Sequence, residues 1–200
     1  MSKEFWNKRF NTEEFVFGKE PNLFLKRVVK YIEPNSKVLC VADGEGRNSV
    51  WLAKQGFLVD AFDISDIGID KARKYAKEQN VDVNYFVADT TKFNFEPDTY
   101  DAIIAIFIQY NDGEERDELF RNMISSLKPE GKLILQGYTR NQLKYNTGGP
   151  PQIPRLYTSE LLLKYFKDLN IIQSAEYIGE ITEGSAHTGT SALIEFVVKK

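Results

Sequence analysis

Short apolar runs alternate along this chain with segments whose apolar residues recur at helical spacing. The short runs predict strands, because a strand buried inside a sheet needs only a few consecutive apolar residues. Strands are predicted at 37–42, 57–62, 83–88, 100–108 and 132–138, and helices at about 21–33, 48–55, 66–80, 114–127 and 159–167. Two further strands, 171–178 and 190–198, follow the last helix with no helix between them.

The alternation of strands and helices predicts the fold class. Strands separated by helices pair in parallel through right-handed crossovers, and continuous apolar runs are typical of strands buried on both faces. The last two strands lack a connecting helix, so an antiparallel pairing is expected there. We therefore predict an α/β fold with a Rossmann-like, mostly parallel sheet of seven strands, helices on both faces and an antiparallel C-terminal strand.

Composition narrows the class of protein. The chain has 200 residues, of which 42% are hydrophobic and 28% charged, as expected for one globular domain spanning 1–200. A single cysteine, Cys40, excludes a disulfide or a multi-thiolate metal site within the chain. The net charge of −3 does not favour nucleic acid as a partner.

The sequence also gives expectations for the cellular compartment, the partner and the assembly. The longest apolar run, Ala102–Ile108, is too short to span a bilayer, so no membrane association is expected. The N-terminus has no signal-peptide pattern, which makes the cytoplasm the expected compartment. The partner expected is a small-molecule acceptor, and the assembly expected is a monomer or a homodimer.

Two segments outside the periodic pattern are candidates for covering a site. Residues 139–157 are rich in glycine and proline and show no periodicity, as is typical of binding loops. Residues 1–20 carry several aromatic side chains, although no periodic element is predicted to hold them. We expect the N-terminal segment to be a lid that closes over a ligand, and the long loop to lie near the active site.

Polar residues at the ends of several strands predict a ligand site, since ligands of open α/β sheets bind beyond the carboxyl ends of the strands. Gly44 and Gly46 follow the first strand, Asp63 ends the second and Asp89 follows the third, while residues 106–110 end the fourth. Each feature alone is more often a plain turn or a helix cap. Together they predict a nucleoside site, in which Asp63, 19 residues after Gly44, accepts hydrogen bonds from ribose hydroxyls.

The residues of the glycine turn discriminate between nucleosides. A dinucleotide site prefers G-x-G-x-x-G, whereas here the third glycine is replaced by Ser49. Asp43 and Glu45 would repel a pyrophosphate but suit a cationic ligand. S-adenosylmethionine carries a sulfonium, an ammonium and a ribose but no phosphate. The turn therefore favours S-adenosylmethionine over NAD and disfavours a nucleotide-dependent dehydrogenase.

Several motifs together resemble those of a known family. The chain is similar to class I S-adenosylmethionine-dependent methyltransferases, specifically the tellurite-resistance and thiopurine methyltransferase-like branch. The resemblance covers nearly the whole chain, and G-E-G-R-N together with N-T-G-G-P is its most specific part. The motifs are W-N-K-R-F (6–10), G-K-E-P-N-L-F-L (18–25), G-E-G-R-N (44–48), F-D-I-S (62–65), L-K-P-E-G (127–131) and N-T-G-G-P (146–150).

The resemblance implies roles for individual residues. It implies that the two glycines of the turn wrap the methionine part of S-adenosylmethionine, that Asp63 holds the ribose, and that Asp89 and Thr90 border the adenine. It also implies that Trp6 and Phe10 belong to the lid, and that the product is S-adenosylhomocysteine. The expected cofactor-binding residues are Trp6, Phe10, Asp43, Gly44, Gly46, Asn48, Asp63, Ile64, Asp89, Thr90 and Ile106.

Two residues depart from the family's first motif, D-x-G-C-G. Cys40 stands in place of the usual acid, and Ala42 in place of the first glycine. We expect Cys40 to be a small buried hydrophobe, and Ala42 to cost little if its φ is negative. Asp43 is a candidate to supply the missing carboxylate toward the ammonium. These departures keep open an alternative function, that of a non-catalytic adenosylmethionine-binding protein.

The acceptor is less well defined by the sequence. His187, the single histidine, lies in a polar segment with glycines, and two interpretations stay open: a solvated side chain or a group facing the substrate. Tyr110 and Arg155 are the other expected substrate-binding residues. No carboxylate–histidine pair is evident, so no catalytic residue and no metal site is assigned. We expect methyl transfer to a small soft or anionic acceptor (a thiol, selenium or tellurium species), which needs no base, with O- or N-methylation of a small metabolite as the alternative.

Overall fold

The central sheet of the computed structural model, which describes residues 2–200, contains seven strands. In chain order they are β1 (Lys37–Val41), β2 (Leu58–Asp63), β3 (Asn84–Val87), β4 (Tyr100–Ile106), β5 (Leu127–Tyr138), β6 (Asn170–Glu183) and β7 (His187–Lys199). Their spatial order is β3-β2-β1-β4-β5-β7-β6. Strands β1 to β5 pair in parallel, and β7 is antiparallel to both of its neighbours. The predicted fold class is confirmed.

Helices cover both faces of this sheet. They are α1 (Lys3–Phe10), α2 (Leu23–Val28), α3 (Arg47–Lys54), α4 (Asp66–Glu78), α5 (Gly113–Ser126) and α6 (Ser159–Phe166), with short 3-10 turns at Val29–Tyr31, Arg140–Lys144 and Ile153–Arg155. None of the helices formed by residues 2–200 is long and apolar enough to cross a membrane.

Strand β4 shows why apolar residues occupy consecutive positions in the predicted strands instead of alternating with polar ones. Ala102 and Ile104 pack into the core that contains apolar residues of α3 and α4, whereas Ile103 and Ala105 pack into the core that contains those of α5 and α6. Successive side chains of a strand point to opposite faces, so a strand covered by helices on both sides needs apolar residues at every position.

Several predicted boundaries are wrong, each for a local reason. The predicted helix at 21–33 is α2 followed by a 3-10 turn, and it begins only after Asn22, whose side chain caps it by accepting a hydrogen bond from Leu25 N. Strand β4 ends two residues early because Phe107 has a φ of 56°, outside the extended region. The segment that was expected to lack a regular element contains α1, which is capped by Ser2.

The two C-terminal strands are longer than predicted. Strand β6 continues to Glu183 and β7 begins at His187, so the connection shrinks from a long polar loop to residues 184–186. The polar residues of this segment therefore belong to the paired strands of a β-hairpin. Its register places Glu183 directly opposite His187. A strand at the edge of a sheet tolerates polar side chains on its exposed face, which hid the strand in the sequence.

We predict that two glycines with the same backbone conformation differ in their tolerance of alanine. Gly46 and Gly56 have φ values of 90° and 89°, which costs an alanine about 1–2 kcal/mol at either position. A Cβ at Gly46 would also lie 2.8 Å from Cβ of Ala72, whereas one at Gly56 meets nothing within 4 Å. Gly46→Ala should therefore lower the free energy of unfolding in urea by at least about 1 kcal/mol more than Gly56→Ala. Equal losses would contradict the packing described for Gly46.

Candidate active site

A cavity that is partly open to solvent lies at the carboxyl ends of β1, β2 and β4. Every predicted cofactor-binding residue except Gly46 lines this cavity, and so do Tyr110 and His187 from the predicted acceptor side. The structure thus brings together residues that lie far apart in the chain. That these residues bind the cofactor or the acceptor stays a prediction.

Two predicted site residues lie elsewhere. Gly46 does not face the cavity, because it is packed against Ala72 and the hydroxyl of Tyr85. Its positive φ serves the start of α3 rather than contact with a ligand. Arg155 is also outside the cavity, since its Nε donates a hydrogen bond of 3.1 Å to Asp112 Oδ2. Neither residue lines the cavity, and their roles in binding stay predictions.

The sequence interpretation missed several lining residues. Arg47, Asn111, Phe17 and Phe107 all line the cavity. Arg47 lies inside the G-E-G-R-N motif and could have been found there as a charge directly after the glycine turn. Phe107 lies within residues 106–110, which the sequence already placed at a strand end of the site, but no apolar pattern reveals its left-handed backbone.

Asp63 ties the ends of β1 and β2 together. Its Oδ2 accepts a hydrogen bond of 3.0 Å from Gly44 N, and its Oδ1 accepts one of 2.8 Å from Ser65 N. Burial raises the pKa of this carboxyl to about 6, although both backbone hydrogen bonds oppose the shift. The side chain therefore fixes the glycine turn and also presents a carboxyl group to the cavity.

One carboxyl oxygen of Asp43 has no hydrogen-bond donor within residues 2–200. Its Oδ2 accepts a hydrogen bond from the hydroxyl of Ser49, whereas Oδ1 is buried and has no partner among the described residues. Burial raises the pKa of Asp43 to about 7, and the nearby charge of Asp63 adds to the increase. A buried carboxyl oxygen without a donor is costly, and a ligand ammonium would satisfy it. The residues of the cavity thus fit the amino-acid end of S-adenosylmethionine.

The two departures from the family motif have different consequences. Ala42 has a φ of 50°, so the condition under which it would cost little, a negative φ, is not met. An L-residue in this region costs about 1–2 kcal/mol, and the alanine retains the left-handed turn despite that cost. Cys40 is buried in the core as expected, and burial raises the pKa of its thiol well above the ordinary value. It is therefore a core residue rather than a nucleophile.

His187 is buried, with 9% of its surface exposed, so the interpretation as a solvated side chain is wrong. Its ring centroid lies 4.6 Å from that of Phe17 and 4.7 Å from that of Phe107. Burial lowers the pKa of His187, Glu183 opposes this, and the charges of Arg47 and Arg9 lower it further. The imidazole is accordingly neutral at pH 7.

The structure also supplies the carboxylate–histidine pair that the sequence did not reveal. Glu183 Oε2 lies 3.9 Å from His187 Nδ1 and 2.7 Å from Arg47 Nη2. Its other oxygen accepts a hydrogen bond of 2.8 Å from Asn22 Nδ2. Burial alone would raise the pKa of Glu183, but His187 and Arg47 lower it to about 2. Glu183 is therefore an ionised carboxylate held in place by several partners.

The N-terminal segment is folded over one side of the cavity. Val16 N donates a hydrogen bond of 2.8 Å to Glu45 Oε2, and Val16 O accepts one from Ala186 N. Phe10 stacks on Trp6 and packs so closely over Gly44 that a Cβ there would lie 3.2 Å from the phenyl ring. The segment thus bridges the glycine turn and the β6–β7 hairpin.

The long loop lies behind the histidine. A Cβ at Gly148 would lie 2.6 Å from Tyr138 Oη and 3.0 Å from His187 Cδ2, so only a glycine fits between them. Gln142 Nε2 donates a hydrogen bond of 3.1 Å to Gly148 O and holds the loop in this position. The loop therefore supports the wall of the cavity formed by His187.

Comparison with known proteins gives matches of two kinds. A family described as a methyltransferase domain matches residues 38–131. A ubiquinone biosynthesis O-methyltransferase of Rickettsia akari (strain Hartford) is 34% identical over 113 residues, which is 56% of this chain and 44% of that protein. The chain spans about half the length of the curated relatives it matches.

Solved structures share the fold. A protein solved in a study of the conversion of a disulfide bond into a thioacetal group during echinomycin biosynthesis has a TM-score of 0.80 at 14% identity, over 100% of this chain and 89% of that one. TehB from Haemophilus influenzae has a TM-score of 0.73 at 19% identity, over 99% of this chain and 66% of that one. At these identities the likeness shows the fold alone, so the tellurite-resistance and thiopurine branch stays a prediction.

We predict that Asp43 makes the protein less stable as the pH rises. The pKa of Asp43 is about 7 in the folded chain and near 3.8 in the unfolded chain, so the folded state binds an extra proton between these values. The free energy of unfolding of the wild type should fall, relative to that of Asp43→Asn, by at least about 1 kcal/mol between pH 5 and pH 8. Urea unfolding at several pH values measures this difference.

The control for this experiment is Asp70→Asn, which removes one exposed negative charge from α4. A difference between wild type and Asp43→Asn that stays constant with pH would show that Asp43 is already ionised in the folded protein at pH 5.

Proposed function

Because residues 38–131 match a family described as a methyltransferase domain, we propose that this protein is an enzyme that uses S-adenosylmethionine to methylate a small-molecule acceptor. The observation that carries the proposal is the carboxyl oxygen of Asp43, buried at the cavity wall without a donor. A cationic group of a ligand would satisfy this oxygen, whereas a dinucleotide would bring a pyrophosphate to the same turn.

Different residues of the cavity would bind different parts of S-adenosylmethionine. Asp43 and Gly44 would hold the amino-acid part of S-adenosylmethionine, Asp63 the ribose, and Asp89 with Thr90 the adenine. When bound, S-adenosylmethionine supplies a methyl group on a positively charged sulfur. The lid residues Trp6 and Phe10 cover the glycine turn and keep water away from this region, which matters because methyl transfer depends mainly on alignment and exclusion of water.

The acceptor enters beside His187 and Tyr110 in this proposal. A soft acceptor, such as a thiol or a selenium or tellurium species, is consistent with the aromatic wall around His187. Methylation of a hydroxyl group is the second candidate. It is supported by the names of the curated relatives, which are O-methyltransferases, and by the proximity of Glu183 to His187.

We predict that Asp63→Ala weakens binding of S-adenosylhomocysteine at least tenfold, because hydrogen bonds to a charged acceptor contribute about 1.5–3 kcal/mol each. The variant should stay folded but be less stable, since Gly44 N and Ser65 N lose their acceptor. Calorimetric titration measures the affinity, with the exposed Asp82→Ala as control. Unchanged affinity in Asp63→Ala would contradict its assignment to the ribose. If the wild type binds S-adenosylhomocysteine but methylates no acceptor, the non-catalytic alternative is favoured.

We also predict that binding of S-adenosylhomocysteine orders the lid. Among the backbone amides of residues 2–18, that of Val16 alone donates a hydrogen bond to a residue outside this segment, so these amides should exchange rapidly without ligand and slowly with it. Hydrogen–deuterium exchange measures this change, and Gly184→Ala gives a matched test. A Cβ at Gly184 would lie 2.4 Å from Val16 O and prevent the lid from closing. Exchange that is equal with and without ligand in the wild type would rule out the lid.

A further inference from the structure

The turn between β6 and β7 brings an acid and the single histidine of the chain together at the cavity. Glu183 ends β6, His187 begins β7, and the two residues are paired in the sheet register. His187 Nδ1 is buried and makes no hydrogen bond within the described residues, and the nearest carboxylate oxygen is Glu183 Oε2 at 3.9 Å. This distance is beyond a hydrogen bond but within reach of one after a small shift, as is common for catalytic pairs without substrate.

The position of Glu183 determines which imidazole nitrogen can accept a proton. A carboxylate beside Nδ1 favours the tautomer in which Nδ1 carries the hydrogen, because this N–H then points at a negative charge. Nε2 is left with its lone pair, and it has no charged partner within the structure. His187 lines the cavity and its Nδ1 is buried, so of the two ring nitrogens Nε2 is the one left for an acceptor.

The charges around His187 keep the ring neutral. Glu183 faces it from β6, Arg47 from α3 and Arg9 from α1, and the hydroxyl of Tyr138 lies on the neighbouring β5. Burial and the two arginines lower the pKa of His187, and Glu183 only partly opposes them. A neutral ring at pH 7 can take up a proton, whereas it cannot attract an anion by charge.

Arg47 does not provide an alternative site for an anionic acceptor. Among the described residues that line the cavity, it is the one Lys or Arg side chain, and its guanidinium is paired with Glu183 at 2.7 Å. The described residues that line the cavity therefore offer no unpaired Lys or Arg side chain to an acceptor that is already an anion. A neutral acceptor that must lose a proton would find the base it needs.

We propose, on the basis of the proposed methyltransferase function, that His187 is the general base for a neutral hydroxyl or thiol acceptor and that Glu183 is its positioning residue. In this step the acceptor's O–H or S–H proton moves to Nε2 of His187. The acceptor oxygen or sulfur forms a bond to the methyl carbon as the carbon–sulfonium bond breaks, and that bond's electron pair stays on the sulfur. The imidazolium then releases its proton to solvent. The acceptor class is thus a protic small molecule rather than a preformed oxyanion.

Nuclear magnetic resonance tests this pairing without any acceptor. The chain has a single histidine, so ¹⁵N-labelled histidine reports on His187 alone. With S-adenosylhomocysteine present at pH 7, the ring should be neutral with its hydrogen on Nδ1. Glu183→Gln should shift the tautomer equilibrium toward Nε2–H, whereas Glu180→Gln, on the exposed part of β6, should leave it unchanged. A charged ring at pH 7, or hydrogen on Nε2 in the wild type, would overturn the proposal.

The rate of methyl transfer tests the role of the base. We would compare phenols, which are protonated at pH 7, with aromatic thiols that are largely ionised there. His187→Gln should lower kcat for phenols about 100-fold or more and change kcat for the ionised thiols by less than about fivefold. A purely structural role would lower both equally, and equal rates in variant and wild type would refute a base.

The possible failures are distinguishable. A wild type that does not bind S-adenosylhomocysteine in calorimetry contradicts the proposed function itself. A wild type that binds it but methylates neither phenols nor thiols contradicts the acceptor class. The resonance experiment on the wild type does not depend on any variant being folded, so the proposal stays testable even if Glu183→Gln is unstable.

Discussion

The cavity depends on one buried ion pair, between Arg47 at the start of α3 and Glu183 at the end of β6. Both side chains are less than one-tenth exposed, and their 2.7 Å contact joins the nucleoside-binding half of the sheet to the C-terminal hairpin. Burying two charges is favourable only if each also makes further hydrogen bonds. Asn22 supplies one to Glu183, and Phe17 O accepts one from Arg47. Removal of one partner would leave an unpaired charge, which costs about 3–5 kcal/mol.

Three functional features follow from this pair. It fixes Glu183 beside His187, it anchors the lid at Phe17, and it places α3 behind the glycine turn that carries Asp43. The ionised state of Glu183 is a consequence of the same contacts, since burial alone would favour its protonated form. The Arg47–Glu183 ion pair therefore both holds this side of the cavity together and keeps an ionised carboxylate beside His187.

The fold could be predicted because a sheet covered on both faces imposes its apolar pattern on the sequence, as β4 shows. Asp63 and Asp89 could be placed at the cavity because strand ends of a parallel sheet meet at one edge. The Glu183–His187 pair was hidden, because its segment is polar and resembles a loop although it forms an edge hairpin. Gly46 packs against Ala72 and does not line the cavity, and local spacing cannot distinguish a glycine needed for packing from one that contacts a ligand.

A crystal structure of the protein with S-adenosylhomocysteine would test the central claim most directly. The account predicts that the ligand's amino group lies within hydrogen-bonding distance of Asp43, its ribose at Asp63 and its adenine beside Asp89, with the sulfur directed toward the side of the cavity that contains His187. A ligand that binds elsewhere, or that leaves the carboxyl oxygen of Asp43 without a donor, would contradict the account.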